Sequence, residues 1–173
     1  MVDRPLLEPL PLAYMVSPSV PFLELAASED TAASPTVVGF FATHADGSTS
    51  RARLVFRFGL WVRMSLAHGD DEVVREADYD WSHVPQLSAG ADYQESRRRR
   101  YELWRSTGVC PDPHAYEVVG SSWLAEHDDP VGPERERLHH YLVLGHDAYV
   151  EVLATGWWAE EVGERKPLPD LSP

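Results

Sequence analysis

Arg53, Arg57, Trp61 and Arg63 fall at odd-numbered positions of one stretch, RARLVFRFGLWVRMSL, residues 51–66. Guanidinium groups beside an aromatic ring are equipment for holding anions. Arg offers a planar fork of donors that matches a carboxylate or phosphate, and a flat apolar body can stack on the ring. The same row has a plainer use. Arginines along a strand commonly pair with acids on a neighbouring strand or covering loop, each exposed pair contributing about 0–1 kcal/mol. The sequence leaves both uses open.

Other side chains invite a chemical reading. His146 and Asp147, with Glu151 downstream and His139 and His140 upstream, are the types that bind divalent metals. Adjacent His139 and His140 point to opposite faces of a strand, however, and Gly145 to Asp147 suits a tight turn. His146 and Asp147 stay as metal candidates without a third partner. Cys110, Asp112 and His114 share the segment GVCPDPHAY. A thiolate nucleophile needs a base and an electropositive pocket. Here two prolines stiffen the chain and Asp112 opposes ionisation, so Cys110 is expected to be a packed residue. Ser121 and Ser122 lack a glycine-flanked nucleophile elbow and suit helix capping. Asp70, Asp71, Glu72, Glu76, Asp78 and Asp80 form an acidic run beside Trp81 without the spacing of a calcium loop. They make either a solvated loop or a face that steers a basic protein partner. No phosphate loop, dinucleotide fingerprint or zinc spacing appears, and no cofactor is implied.

The elements that carry these residues are partly legible. Ala52, Leu54, Phe56, Phe58, Leu60, Val62, Met64 and Leu66 occupy every even position of 51–66. Strict period two predicts one long strand, bent at Gly59, apolar on one face and cationic on the other. Asp46-Gly47 between two β-rich runs predicts a hairpin. A second hairpin is expected around Gly145, His146 and Asp147. Residues 93–107 read as the main helix, with Asp92 as N-cap, Glu95 at capping-box spacing and Gly108 as C-cap. Tyr93, Tyr101 and Trp104 share a face of it. Four arginines at 97–100 span about 300° of that helix, so they cannot converge on one ligand.

These pieces predict an α+β fold: a single domain with a twisted antiparallel sheet of five to seven strands, able to curl into a half-barrel, and one main helix. Residues 1–21, with five prolines, are expected to form an extended arm, 22–162 the domain, and 163–173 a polar tail. A chain of 173 residues suffices for one core.

Composition bounds the function. Formal net charge is −13, which disfavours nucleic acid and anionic membranes as partners. Nine of the fifteen cations nevertheless sit in 51–66 and 97–105. Fourteen arginines against one lysine suggest a GC-rich, bacterial genome. The single cysteine suits a reducing compartment, and the proline-broken N-terminus lacks the apolar run of a secretion signal, so a cytoplasmic protein is expected. In type the chain is similar to small acidic inhibitors and toxin-neutralising immunity proteins, a likeness that carries no site residues. The expected function is binding of a basic protein partner. The alternatives are a small-molecule-binding or enzyme domain holding an anionic or aromatic ligand on a curved sheet, and a structural subunit of a larger assembly.

Overall fold

A computed structural model describes residues 4–20, 22–27, 35–66, 76–85, 92–127, 130–131 and 136–166. Its strands are β1 (Leu6–Pro9), β2 (Met15–Val16), β3 (Leu23–Ala26), β4 (Thr36–Thr43), β5 (Thr49–Arg57), β6 (Trp61–Leu66), β7 (Ala115–Val119), β8 (His139–Leu144), β9 (Ala148–Ala154) and β10 (Gly156–Lys166). Two α-helices, α1 (Tyr93–Thr107) and α2 (Ser122–Ala125), complete the α+β fold.

Alternation makes the first hairpin. Thr36, Val38, Phe40 and Ala42 of β4 and Ala52, Leu54 and Phe56 of β5 are all buried on one side. The turn forms because Gly47 adopts φ 84° and the Asp46 carboxylate accepts the Ser48 backbone N–H at 2.8 Å. β8 and β9 make the second expected hairpin.

The strands divide between two sheets rather than gathering in one. One runs β1-β7-β8-β9-β6; the other runs β10-β5-β4, with β2 and β3 both on the far edge of β4. Their facing sides build the main core from Val38, Phe40, Leu54 and Phe56 against Tyr141, Val143, Val150 and Val152. The outer face of the first sheet is buried as well, where Leu7, Tyr116, Val118 and Leu142 meet Val84, Tyr79 and Trp81.

The long strand expected over 51–66 is the joint between the sheets. β5 pairs β10 up to Arg57 opposite Gly156, and β6 pairs β9 from Trp61 opposite Leu153. Three residues (58–60) therefore face two (154 and 155), a bulge that turns the ribbon out of one sheet and into the other. The ladder continues through the corner, Leu60 N–H donating to Leu153 and Thr155 N–H to Arg57. Phe58 takes φ 47° there, and the Thr36 hydroxyl donates to the Gly59 carbonyl at 3.0 Å. The bend lies at Gly59 as expected, but it changes sheets, and neither sheet closes into a barrel.

The N-terminal segment is extended, as its prolines require, yet it is woven into the core. β1 joins the first sheet and β2 the second. Leu10, Leu12, Tyr14 and Val16 are all buried. At the other end β10 continues to Lys166, and 167–173 lie outside the described residues. α1 has the predicted bounds, and Gly108 closes it with φ 72°. Its start differs from expectation: Asp92 makes no side-chain cap bond. Glu95 does not complete a capping box, because its carboxylate is taken by Arg98 and Arg99.

Candidate functional site

Within α1, positions 93, 97, 100, 101 and 104 recur at helical spacing and so share one face. Trp104 anchors it: the ring is buried and its indole N–H donates to the Ala13 carbonyl at 3.0 Å. Between this face and the segments carrying Met15, Pro18 and His114 lies a cleft of about 220 Å³. Tyr93, Arg97, Arg100 and Tyr101 form its helical wall.

Behind the cleft sits a buried carboxylate. Arg100 Nη2 donates to Asp112 Oδ2 at 2.7 Å, and the Tyr116 hydroxyl donates to Asp112 Oδ1. Both ionic side chains are largely withdrawn from water, at 16% and 12% exposure. Burial, reinforced by the Asp112 charge, pushes the Tyr116 hydroxyl well above the ordinary phenol range, so it serves only as a donor. The Cys110 thiol donates to the Asp112 carbonyl, and burial raises its pKa to about 12. Cys110 is thus the packed residue expected from its sequence context.

His114 holds φ 56°, a conformation that costs a non-glycine residue about 1–3 kcal/mol and persists only where its surroundings enforce it. Burial foremost keeps its pKa below the usual imidazole range, so the ring is neutral at pH 7. Burial does the same to His44, which lies against the Ser50 hydroxyl at 2.9 Å. Both rings are protonated more readily in the unfolded chain. Their contribution is therefore present above about pH 6.5 and is lost as pH falls through the lowered folded values. Urea midpoints at pH 7.5 and 5.5 should show this loss. His114→Asn, which tolerates positive φ and does not titrate, should reduce the difference.

Among the described residues the cleft carries excess positive charge. Arg97 has no carboxylate within ion-pair distance among the described residues, and its guanidinium lies 5.7 Å from the Tyr101 ring centre. Arg100 shares the cleft with it, and both oxygens of Asp112 are engaged. Arg98 and Arg99 point elsewhere and pair with Glu95. A planar anion entering here would meet two guanidinium groups, a neutral imidazole and a wall of three aromatic rings.

The residues singled out at 51–66 are not brought together. Arg53 and Arg57 lie on the outer face of the second sheet, and Trp61 and Arg63 lie past the corner on the first. Arg53 donates to Glu160 at 2.7 Å and Arg57 to Glu136 at 2.6 Å. Arg63 pairs with the buried Glu151 at 3.2 Å and lies 3.5 Å over the Trp123 ring. Trp61 packs edge-on against His127 at 4.6 Å. Between the two uses open to this row, pairing with the protein's own acids is the one these three arginines adopt.

Asp70, Asp71 and Glu72 lie outside the described residues. Glu76 begins a 3-10 turn that ends at the exposed Asp78. Asp80 is a turn former, accepting the Ser82 N–H at 2.9 Å while its backbone N–H donates to Pro5. His146 and Asp147 contact each other at 2.6 Å on the surface. No three His, Cys, Asp or Glu among the described residues converge as a metal site would need. His139 and His140 do face opposite ways: the first meets Glu117, and the second is buried against Ser121 and Glu151. Ser121 caps α2 by accepting the Leu124 N–H. Among the described residues no helix is long and apolar enough to cross a membrane.

Most residues of the cleft had a visible signal, but in separate places, and Met15 had none. The helical face at 93, 101 and 104 was legible, as were Asp112 and His114 beside Cys110. What joins them is the Arg100–Asp112 pair, which spacing does not reveal. No family model matches the sequence, and neither a curated protein nor a solved structure is significantly similar to it.

Proposed function

We propose that this protein is a small-ligand-binding domain whose cleft on α1 takes an aromatic carboxylate. The carboxylate lies on Arg97 and Arg100, and the ring lies against Tyr93, Tyr101 and Trp104. One observation carries the reading: two guanidinium groups line a cleft, and the carboxylate behind it, Asp112, is already engaged by Arg100 and Tyr116. An anion there gains charge-assisted hydrogen bonds without first breaking an ion pair at Arg97. The 220 Å³ volume equals about seven waters, which suits a single substituted ring.

Thermal shift tests it. Benzoate should raise the melting temperature in a concentration-dependent way, as any ligand selective for the folded state does. Benzylamine, with the opposite charge, should not, and Arg97→Ala should abolish the benzoate response. A flat response to benzoate, or an Arg97→Ala protein that responds like the parent, refutes the proposal.

A basic protein partner is the second reading, in keeping with the type of small acidic inhibitors and immunity proteins. It is favoured by the net charge of −13 together with the internal pairing of Arg53, Arg57 and Arg63, which leaves acids in surplus. Capture of a cationic protein, lost as salt rises, would support it; capture indifferent to salt would not. The lone buried cysteine suits a reducing, cytoplasmic setting under either reading.

A further inference from the structure

Gly39 lies in the middle of β4, opposite Glu24 of β3 on one side and Arg53 of β5 on the other. Nothing among the described residues asks for glycine there. Its φ is not among the positive values, and among the described residues an added Cβ would meet only Glu24, at ordinary contact distances of 3.5 Å to Oε2 and 3.7 Å to Cβ. Glycine inside a strand weakens it and contributes no side chain to packing. The bare position lies in a groove of about 500 Å³ on the outer face of the second sheet, lined among others by Phe22, Glu24, Val37, Arg51 and Val162.

Two opposite charges border this groove without meeting. The Arg51 guanidinium is held near two rings, 5.2 Å from Phe22 and 5.4 Å from Phe41, which themselves pack edge-on at 5.0 Å. Among the described residues it has no carboxylate partner. Glu24 is exposed and has no cationic partner among the described residues. The other groove arginine, Arg53, is tied to Glu160 and does not compete. Two strand spacings, about 10 Å, separate the backbones of β3 and β5. The pair stays open because the Arg51 guanidinium is held at Phe22 and Phe41, while the Glu24 carboxylate reaches in over Gly39, its Oε2 lying 3.5 Å from where a Cβ would stand.

From this arrangement we infer a second binding site, distinct from the α1 cleft, for a small zwitterion. Its ammonium group sits on the Glu24 carboxylate, which lies over Gly39, its carboxylate on Arg51, and its apolar spacer lies between Phe22 and Val162. The guanidinium is already positioned by its two rings, so little of its freedom is lost on binding.

6-Aminohexanoate is the probe, followed by calorimetry and by backbone NMR shifts of the intact chain. Saturable binding is expected, with shifts at Glu24, Gly39 and Arg51. Hexanoate and hexylamine, each lacking one charge, should bind ~10-fold more weakly or worse, the loss expected for one charged hydrogen-bonded contact. Arg51→Met, which keeps the stem between the rings, and Glu24→Gln should each weaken binding to a similar degree. Gly39→Val suits a strand, so it should keep the melting temperature while abolishing binding. Arg97→Ala should bind the probe like the parent, which separates this site from the α1 cleft. The inference is overturned if 6-aminohexanoate shows no saturable binding, if hexanoate or hexylamine matches it, or if Glu24→Gln binds unchanged.

Discussion

Gly59→Ala is expected to destabilise the protein by about 1–3 kcal/mol, the range for forcing atoms into a packed site. A Cβ at this position would lie 2.7 Å from both Cβ and Oγ1 of Thr36, and 3.3 Å from Val152 Cγ1. None of these atoms is the free end of a long side chain. Thr36 is fully buried, its hydroxyl is bonded to the Gly59 carbonyl, and Val152 sits in the main core. The corner that carries the ribbon between sheets must therefore open for alanine to fit. Gly39→Ala in β4 supplies the contrast, because among the described residues its Cβ has room. That variant should be unchanged or gain roughly 0.4–1 kcal/mol from the restricted unfolded chain. Urea denaturation of the two variants checks the pair. Equal midpoints would mean that the corner is not closed by the Gly59–Thr36 contact.

Substituting Asp112 should separate stability from binding. Asp112→Ala removes the partner of a largely buried arginine and the acceptor of the Tyr116 hydroxyl. Breaking a buried ion pair costs about 3–5 kcal/mol. Some water reaches Arg100 and Asp112, so the lower end, about 3 kcal/mol, is expected. Asp112→Asn keeps an acceptor for Tyr116 and should lose less, about 1–2 kcal/mol. Its effect on the cleft has the opposite sign. With the carboxylate neutralised, Arg100 is no longer matched internally and an incoming anion no longer meets a negative charge. Benzoate should therefore bind the less stable Asp112→Asn protein several-fold more tightly than the parent. Denaturation midpoints combined with calorimetric titration measure both effects. Weaker benzoate binding by a folded Asp112→Asn protein would mean that Arg100 and Asp112 serve packing alone.

Local signals in the sequence were sufficient for the hairpins and the helix. Alternation through 36–57, the Asp46-Gly47 turn and the Gly108 cap each act within a few residues. The sheet change at 58–60 could not be read the same way. The even-odd pattern runs through the bulge unbroken, and what fixes the corner is Thr36, 23 residues upstream of Gly59. The arginine row was ambiguous for a similar reason. Its acids, Glu136, Glu151 and Glu160, stand 79, 88 and 107 residues away and become neighbours only through topology. The N-terminal segment did contain a clue, since Leu10, Leu12, Tyr14 and Val16 alternate, but prolines at 5, 9, 11 and 18 spoke first for a free arm. The helical half of the cleft followed from 3.6 periodicity. Its other half, Asp112 and His114, depends on how the chain returns to α1, which no local pattern encodes.

Arginine side-chain NMR gives the most direct test of the cleft. In a spectrum of guanidinium Nε–H groups, titration with benzoate should move the signals of Arg97 and Arg100, with the backbone amides of Tyr93, Tyr101, Trp104 and His114 following one saturation curve. Arg53, Arg57 and Arg63, held by their own carboxylates, should stay in place. Motion at those three instead, or no saturable change at Arg97 and Arg100, would contradict an anion site on α1.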